Sequence, residues 1–222
     1  MQRLKFITLS LVAAFAISAV ASASAWAGPV WKKGGAELAA PVAFEATSGE
    51  GKLENDKGST VTCTSDLATG KAEAPGKVSH VTVKFKGCKG PFNETCGVGG
   101  EIVSALLTGE LVYLNAAHEK IGLLLKQNET TKEFANFKCG FGEVKVTGEV
   151  IGEITPPKVE ATEGKLKYKQ TAGEQEWHTI EGKAEPPDIT LESEIFGSKA
   201  ESALQSEDTV KWLPAGTEVG AF

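Results

Sequence analysis

Arginine is almost absent from this sequence of 222 residues, and the only one is Arg3. A guanidinium binds phosphate or carboxylate through two parallel hydrogen bonds, so no position after Arg3 offers that contact. Beyond residue 27 the chain holds 21 lysines against 29 acidic residues, a net charge of −8. Because neutralisation of phosphates dominates nucleic-acid affinity, this composition excludes nucleic acid as an expected partner.

Recognisable catalytic and metal-binding motifs are also lacking. The three histidines, His80, His118 and His178, do not have the spacing of a zinc site such as H-E-x-x-H. A G-x-S-x-G nucleophile elbow is absent. The acids of Glu54–Asp56 and Ser206–Asp208 do not follow the calcium-loop pattern and indicate ordinary turns. We therefore expect no catalytic, cofactor-binding or metal-binding residue, although a triad assembled by tertiary contacts alone would leave no such trace.

Long apolar runs are missing except at the N-terminus, between Phe6 and Val20. Two basic residues, Arg3 and Lys5, precede this run, and the small residues of Ala21–Ala27 follow it. This order is typical of a secretory signal, whereas a membrane-spanning helix needs about 20 apolar residues. We expect cleavage after Ala27, although sites after Ala23 or Ala25 also fit. The prediction is a signal peptide over residues 1–27 and a single β-rich domain over residues 28–222, secreted or associated with the cell envelope, with no transmembrane segment in the mature chain.

The chain contains four cysteines: Cys63, Cys88, Cys96 and Cys139. An even number in an exported protein predicts two disulfides, and the long, irregular gaps disfavour a zinc site. Three pairings are possible. Because Lys89–Thr95 contains Gly, Pro and Asn and is able to fold back, we predict that Cys88 pairs with Cys96 and Cys63 with Cys139.

Alternation of apolar and polar residues predicts an all-β protein. Val81–Phe85 shows the period of two that is typical of a half-buried strand, and Ile121–Leu125 indicates a strand buried on both faces. Gly152 indicates a bulge or a close backbone approach. Only Lys199–Gln205 has a short helical pattern. With turns rich in glycine between them, roughly 10–12 strands predict an antiparallel β-sandwich or a barrel-like sheet with little helix.

Several strand and turn motifs resemble a family of secreted, β-rich proteins that occurs as many divergent paralogues in some actinobacteria. The similar segments include all four cysteines and cover most of the mature chain; they are Cys63, Val83–Cys88, Cys96, Gly100–Ile102, Leu107–Leu111, Ile121–Leu123, Phe137–Cys139, Val150–Pro156, Lys169–Gln170 and Leu191–Glu192. The segment Gly197–Gln205 is the least similar. The resemblance implies export and a β-rich fold, and it carries over no catalytic residue.

The leading functional hypothesis is an exported structural or binding domain without catalysis, with the cell envelope or a carbohydrate as a possible contact. An alternative is a carbohydrate-active enzyme, which needs two carboxyl groups about 5–10 Å apart in a cleft. Glu192 and Glu194 share one strand face, as do Glu149 and Glu153 in the absence of a bulge. A concave pocket that holds two carboxylates would overturn the non-catalytic hypothesis.

Aromatic residues weaken the carbohydrate hypothesis, because they make up only 7% of the chain. Trp31, Trp177 and Trp212 are scattered along the sequence, and a sugar site would require clustered rings. A third hypothesis is an inhibitor-like protein that presents the loop Lys89–Thr95, although the same loop also suits a structural staple.

Overall fold

A computed structural model of the protein describes residues 28–140, 142–181 and 188–222. The predicted signal peptide, residues 1–27, lies outside this part of the chain. The described residues form no helix, so none of them belongs to a helix that could cross a membrane. The prediction of an all-β, antiparallel fold is confirmed.

The described residues form eighteen strands, more than the 10–12 predicted, because several strands contain only two or three residues. The first nine are β1 (Trp31–Lys33), β2 (Ala36–Glu37), β3 (Val42–Ser48), β4 (Gly51–Asn55), β5 (Thr60–Cys63), β6 (Ser65–Glu73), β7 (Lys77–Lys86), β8 (Ile102–Val103) and β9 (Leu107–Tyr113). The other nine are β10 (Ile121–Lys126), β11 (Ala135–Cys139), β12 (Gly142–Thr155), β13 (Glu163–Tyr168), β14 (Gln170–Thr171), β15 (Glu174–Gln175), β16 (Leu191–Ile195), β17 (Ser198–Trp212) and β18 (Gly220–Ala221).

Eight strands form a closed, barrel-like antiparallel sheet, which we call the ring. Its order is β3, β6, β7, β9, β10, β12, β13 and β17, and β17 pairs back with β3. Neighbours in the ring therefore follow one another in chain order. A closed sheet of eight strands has an interior that side chains fill or that holds one small ligand.

A second sheet, which we call the disulfide lobe, lies at one end of the ring. Its order is β11, β12, β16, β17, β4 and β5. Two long strands belong to both sheets: β12 pairs with β16 up to Gly148 and with β10 from Glu149 onward, and β17 pairs with β4 up to Gln205 and with β13 from Ser206 onward. A small sheet in the order β18, β1, β2 shares no strand with either.

Apolar side chains fill both faces of the ring along β10. All five residues of Ile121–Leu125 are buried, as the sequence predicts. On the outer face Leu124 joins a smaller cluster that contains Ile151, Ile180 and Ile189. Residues 177–180 contain no regular strand, and Trp177 and Ile180 supply part of this outer cover.

Gly152 of β12 is a site of close approach rather than a bulge. The register of β12 with β10 continues through it without a shift. A Cβ atom at this position would lie 2.7 Å from Cδ1 of Leu166 and 2.9 Å from the ring of Tyr168. Glycine is required here because the Tyr168 ring packs directly on the β12 backbone.

The segment Lys199–Gln205 is part of the strand β17 and forms no helix. Ala200 and Ser202 are buried, whereas Lys199 and Glu201 are exposed, which is the period of two expected of a strand. Pairing with β16 and β4 on its two sides determines this conformation.

The disulfides join Cys63 to Cys88 and Cys96 to Cys139, so the predicted pairing is wrong. The segment between Cys88 and Cys96 does fold back, since Lys89 bridges Thr95. Its two ends, however, lie against different neighbours. Thr62 pairs with Lys89 on one side, and the Gly97 amide donates to the Lys138 carbonyl on the other. These contacts bring each cysteine within about 4 Å (Cα to Cα) of one on a neighbouring strand, at 4.0 Å and 4.1 Å.

Candidate functional site

A cavity of about 90 Å³ lies inside the ring. A single water needs about 10–15 Å³ of cavity volume measured in the same way, so this cavity has room for several waters or one small organic group. The cavity exists because small side chains that point into the ring lie next to each other on adjacent strands. Ala46 of β3 pairs with Ala68 of β6 on one side and with Val210 of β17 on the other, and all three line the cavity.

One end of the cavity is aromatic. The rings of Trp31 and Trp212 meet edge to face at 5.4 Å between centroids, and Phe44 contacts Trp212 in the same manner at 6.0 Å. Trp31 and Trp212 are far apart in the sequence, and the small sheet brings Trp31 over the end of β17. Exposed residues of the lining, among them Val159 and Lys165, show that the cavity opens to the surface near the start of β13.

The opposite end of the cavity carries two buried carboxyl groups. Ser48 on β3 pairs with Asp66 on β6 and with Asp208 on β17, so the three residues form one row across the sheet. Ser48 lies four residues beyond Phe44, which at about 3.3 Å per residue puts roughly 13 Å between the acidic row and the aromatic end. The cavity is therefore polar at one end and aromatic at the other.

Hydroxyl groups hold the two carboxyl groups in place. The Ser48 hydroxyl donates to Oδ2 of Asp66 at 2.5 Å, and the Ser206 hydroxyl donates to Oδ2 of Asp208 at 2.9 Å. Asp66 and Asp208 also lie within hydrogen-bonding reach of each other. The two residues are only 6% and 5% exposed.

Burial controls the charge at this end of the cavity. Desolvation, followed by the negative charge of Asp66 and a hydrogen bond between the two carboxyl groups, raises the pKa of Asp208 to about 8. Asp208 is therefore mainly protonated at neutral pH. Burial, assisted by the charges of both aspartates, raises the pKa of Tyr168 well above its ordinary value, so Tyr168 stays a neutral phenol.

One acceptor in this row lacks a conventional partner. Oδ1 of Asp66 is fully buried and accepts no hydrogen bond from an N–H or hydroxyl group of the described residues. The neighbouring Asp208 carboxyl is the remaining source of a proton, and it donates to Asp66 only while it is itself protonated. A buried acceptor of this kind costs free energy unless a donor reaches it.

The acids singled out in the sequence lie elsewhere. Glu192 and Glu194 both lie on the outward side of β16, where Glu192 forms an ion pair with Lys199 at 2.5 Å. Neither glutamate lines the cavity inside the ring or either of two smaller cavities. Their outward positions place the two carboxyl groups outside these cavities.

Glu149 and Glu153 share the outer face of β12, as expected for a strand without a bulge. Glu153 contacts the ammonium groups of Lys120 and Lys169 at 3.5 Å and 3.6 Å. These distances indicate a solvated ion-pair network on the outside of the ring, which is the ordinary role of acids on an alternating strand.

The three histidines have separate surroundings. His80 contacts the hydroxyl of its neighbour Ser79, His118 stacks on Tyr113, and His178 lies near the Gln175 carbonyl. No group of described residues that could hold a metal contains a histidine.

The disulfide lobe encloses a smaller cavity of about 50 Å³. Phe85, Phe134 and Leu204 line both cavities and so separate them. Both disulfides are in this lobe, and they are typical of proteins from an oxidising compartment. Phe92, at the tip of Lys89–Thr95, is 84% exposed.

Sequence reasoning missed both aspartates of the row that Ser48, Asp66 and Asp208 form. It assigned Asp208 to a turn and did not consider Asp66. A signal was present for Asp208, since Ser206, Asp208, Val210 and Trp212 alternate with period two and so share one face. Aspartate is uncommon in strands, and on an otherwise apolar face it marks a specific polar site. For Asp66 the signal was weaker. Ala68 shares its strand face, but a single alanine does not identify a buried apolar face.

Comparisons of the chain with protein-family models, with curated proteins and with solved structures found no match. The resemblance to secreted actinobacterial proteins stays a prediction from the sequence motifs.

Proposed function

We propose that this protein is an exported, non-catalytic binding domain that holds a small, mainly apolar molecule inside the ring. The observation that carries the proposal is the cavity itself, open at the surface, aromatic at one end and acidic at the other. Sites for small molecules are typically concave and mainly apolar, with a few polar groups that fix orientation. Export is supported by the signal-like residues 1–27 and by the two disulfides.

The cavity also holds two carboxyl groups, close to the arrangement that would count as evidence against a non-catalytic protein. The second candidate function is therefore acid–base catalysis by Asp66 and Asp208, which replace Glu192 and Glu194 in this role. Glycosidases keep their carboxyl groups about 5–10 Å apart on either side of a sugar, whereas these two contact each other. Enclosure in a cavity of about 90 Å³ also leaves no room for a polysaccharide, so the geometry favours binding.

Titration with toluene, followed by ¹H–¹³C methyl spectra, tests the binding proposal. We expect the methyl signals of Val81 and Val83, which line the cavity, to shift with saturation. The methyl signals of Val112 and Ile151, which belong to the outer cluster, should stay unchanged and serve as an internal control.

A variant that fills the cavity sharpens this test. Ala46→Leu places extra methyl groups in the cavity and should abolish the toluene-dependent shifts, and Ala68→Leu on the neighbouring strand provides the same test if the first variant does not fold. Ala117→Leu, at an exposed loop position, should bind like the wild type. Cavity methyl signals that remain unchanged with toluene, up to its solubility limit, and also with benzyl alcohol, benzylamine and benzoate would refute the proposal.

A further inference from the structure

Among the described residues, the polar end of the cavity offers negative charge and hydrogen-bond acceptors without a compensating cation. The titratable groups of this part of the chain that line the cavity are Asp66, Asp208 and Tyr168, with Glu163 and Lys165 at the mouth. The ammonium of Lys165 donates to the Thr209 hydroxyl at 3.0 Å and pairs with Glu207 at 3.7 Å. It is therefore held at the surface and does not neutralise the acidic row.

A ligand that occupies this end must meet a specific requirement. Asp66 carries a buried oxygen without an N–H or hydroxyl donor, and its charge lies in surroundings of low polarity. A carboxylate ligand would add a second negative charge there at high cost. A purely apolar ligand would leave the Asp66 oxygen with the Asp208 proton as its one donor, and that donor is lost when Asp208 ionises. An alcohol would supply a single hydrogen atom, whereas an alkylammonium supplies a positive charge and three N–H donors.

We propose that the cavity selects a small primary amine, whose apolar part lies toward Trp31, Phe44 and Trp212 and whose ammonium group lies between Asp66 and Asp208. This inference rests on the proposed binding function and names the class of its ligand. Buried charges in proteins are retained when they are paired and hydrogen-bonded, and the ammonium satisfies both conditions for the two carboxylates.

Binding of the amine releases a proton. In the free protein Asp208 holds one proton, because burial and the charge of Asp66 raise its pKa to about 8. A positive charge beside Asp208 lowers that pKa, and the proton leaves to solvent as the ammonium enters. No covalent bond forms or breaks. Because one proton is released, the affinity should rise up to about tenfold per pH unit as the pH approaches 8 from below.

Isothermal titration calorimetry with a matched series of ligands tests this inference. The ligands are benzylamine, benzyl alcohol, toluene and benzoate, which share one ring and differ in charge and donors. At pH 8 we expect benzylamine to bind at least about tenfold more tightly than toluene, the energetic equivalent of one good charge-assisted hydrogen bond. Benzoate should not bind. Titrations at pH 7 in two buffers with different ionisation enthalpies should report the release of nearly one proton per benzylamine.

Two variants separate the acidic row from general effects. Asp208→Asn retains the shape and removes the titrating proton, so proton release should disappear and the affinity should become independent of pH below 8. Asp56→Asn, at an exposed aspartate, should behave like the wild type. Methyl spectra establish that each variant is folded before its titration.

The outcomes distinguish this inference from the function on which it rests. If toluene or benzyl alcohol binds as tightly as benzylamine, or if benzylamine binds without releasing a proton, the amine inference is wrong and the binding function stands. If none of the four ligands binds, both are wrong. Tighter binding of benzylamine, with proton release that depends on Asp208, supports both.

Discussion

Asp208 shows how one buried side chain links stability to pH. Its pKa is about 8 in the folded protein, against an ordinary value of 3.8. The folded state therefore retains a proton that the unfolded chain loses above about pH 4. Stability from this group is fully present below pH 4 and is lost as the pH rises through 8, because the folded state binds more protons over that interval.

The variant Asp208→Asn should remove this dependence, since the amide is neutral at every pH and still donates to Asp66. We expect the free energy of unfolding of the wild type, relative to this variant, to fall by a few kcal/mol between pH 5 and pH 9. Urea denaturation at several pH values measures the difference. The control is Asp56→Asn at an exposed site, which should follow the wild-type profile. An equal difference between wild type and Asp208→Asn at pH 5 and pH 9 would contradict the assigned proton.

At the scale of the element, the hairpin between Cys88 and Cys96 is a spacer between two strands. Lys89 bridges both Thr62 and Thr95, and the Gly97 amide bonds to Lys138 of β11. The hairpin therefore fills the gap between β5 and β11 in the disulfide lobe. Each disulfide fastens one side of it, which gives the loop a structural role even though Phe92 at its tip is exposed.

Tryptic mapping without reductant tests this arrangement, because trypsin cleaves after Lys86 and Lys89 and so separates Cys88 from Cys96. We expect the peptide of residues 58–71 to be joined to that of residues 87–89, and the peptide of residues 90–120 to that of residues 139–145. Mass spectrometry identifies both pairs, and each should separate after reduction. A bond between the peptides of residues 87–89 and 90–120 would instead establish the pairing predicted from the sequence.

Local patterns were sufficient for the strands and insufficient for the site. Val81–Phe85 and Ile121–Leu125 carry their strand signal in their own residues, so both were predicted correctly. The prediction of the cysteine pairing was wrong because it considered the length of the loop without knowing which strands are neighbours. Asp66 and Asp208 meet only because β3 lies between β6 and β17, and that order depends on closure of the whole ring.

At the scale of the molecule, the ring and the disulfide lobe are one folding unit. Both β12 and β17 run through the two sheets, so neither sheet is complete without the other. A single buried cluster contains Phe44 and Val81 of the ring together with Phe137 and Val144 of the lobe. Opening of the lobe exposes the end of the ring at which Asp66 and Asp208 lie.

Reduction of the two disulfides should therefore destabilise the ring, although neither bond lies in it. The closed loops, with sequence separations of 25 and 43 residues, stabilise the fold by roughly 3–4 kcal/mol each. We expect a single thermal transition in the oxidised protein and a midpoint lower by roughly 15 °C or more after reduction. Tryptophan fluorescence of a Trp177→Phe variant of residues 28–222, which lacks Trp26, follows the ring through Trp31 and Trp212, and hydrogen exchange of the β11 amides follows the lobe. The oxidised protein with the same substitution is the control. If reduction raised exchange in β11 and left the fluorescence midpoint unchanged, the two sheets would be independent units and the shared strands would not couple them.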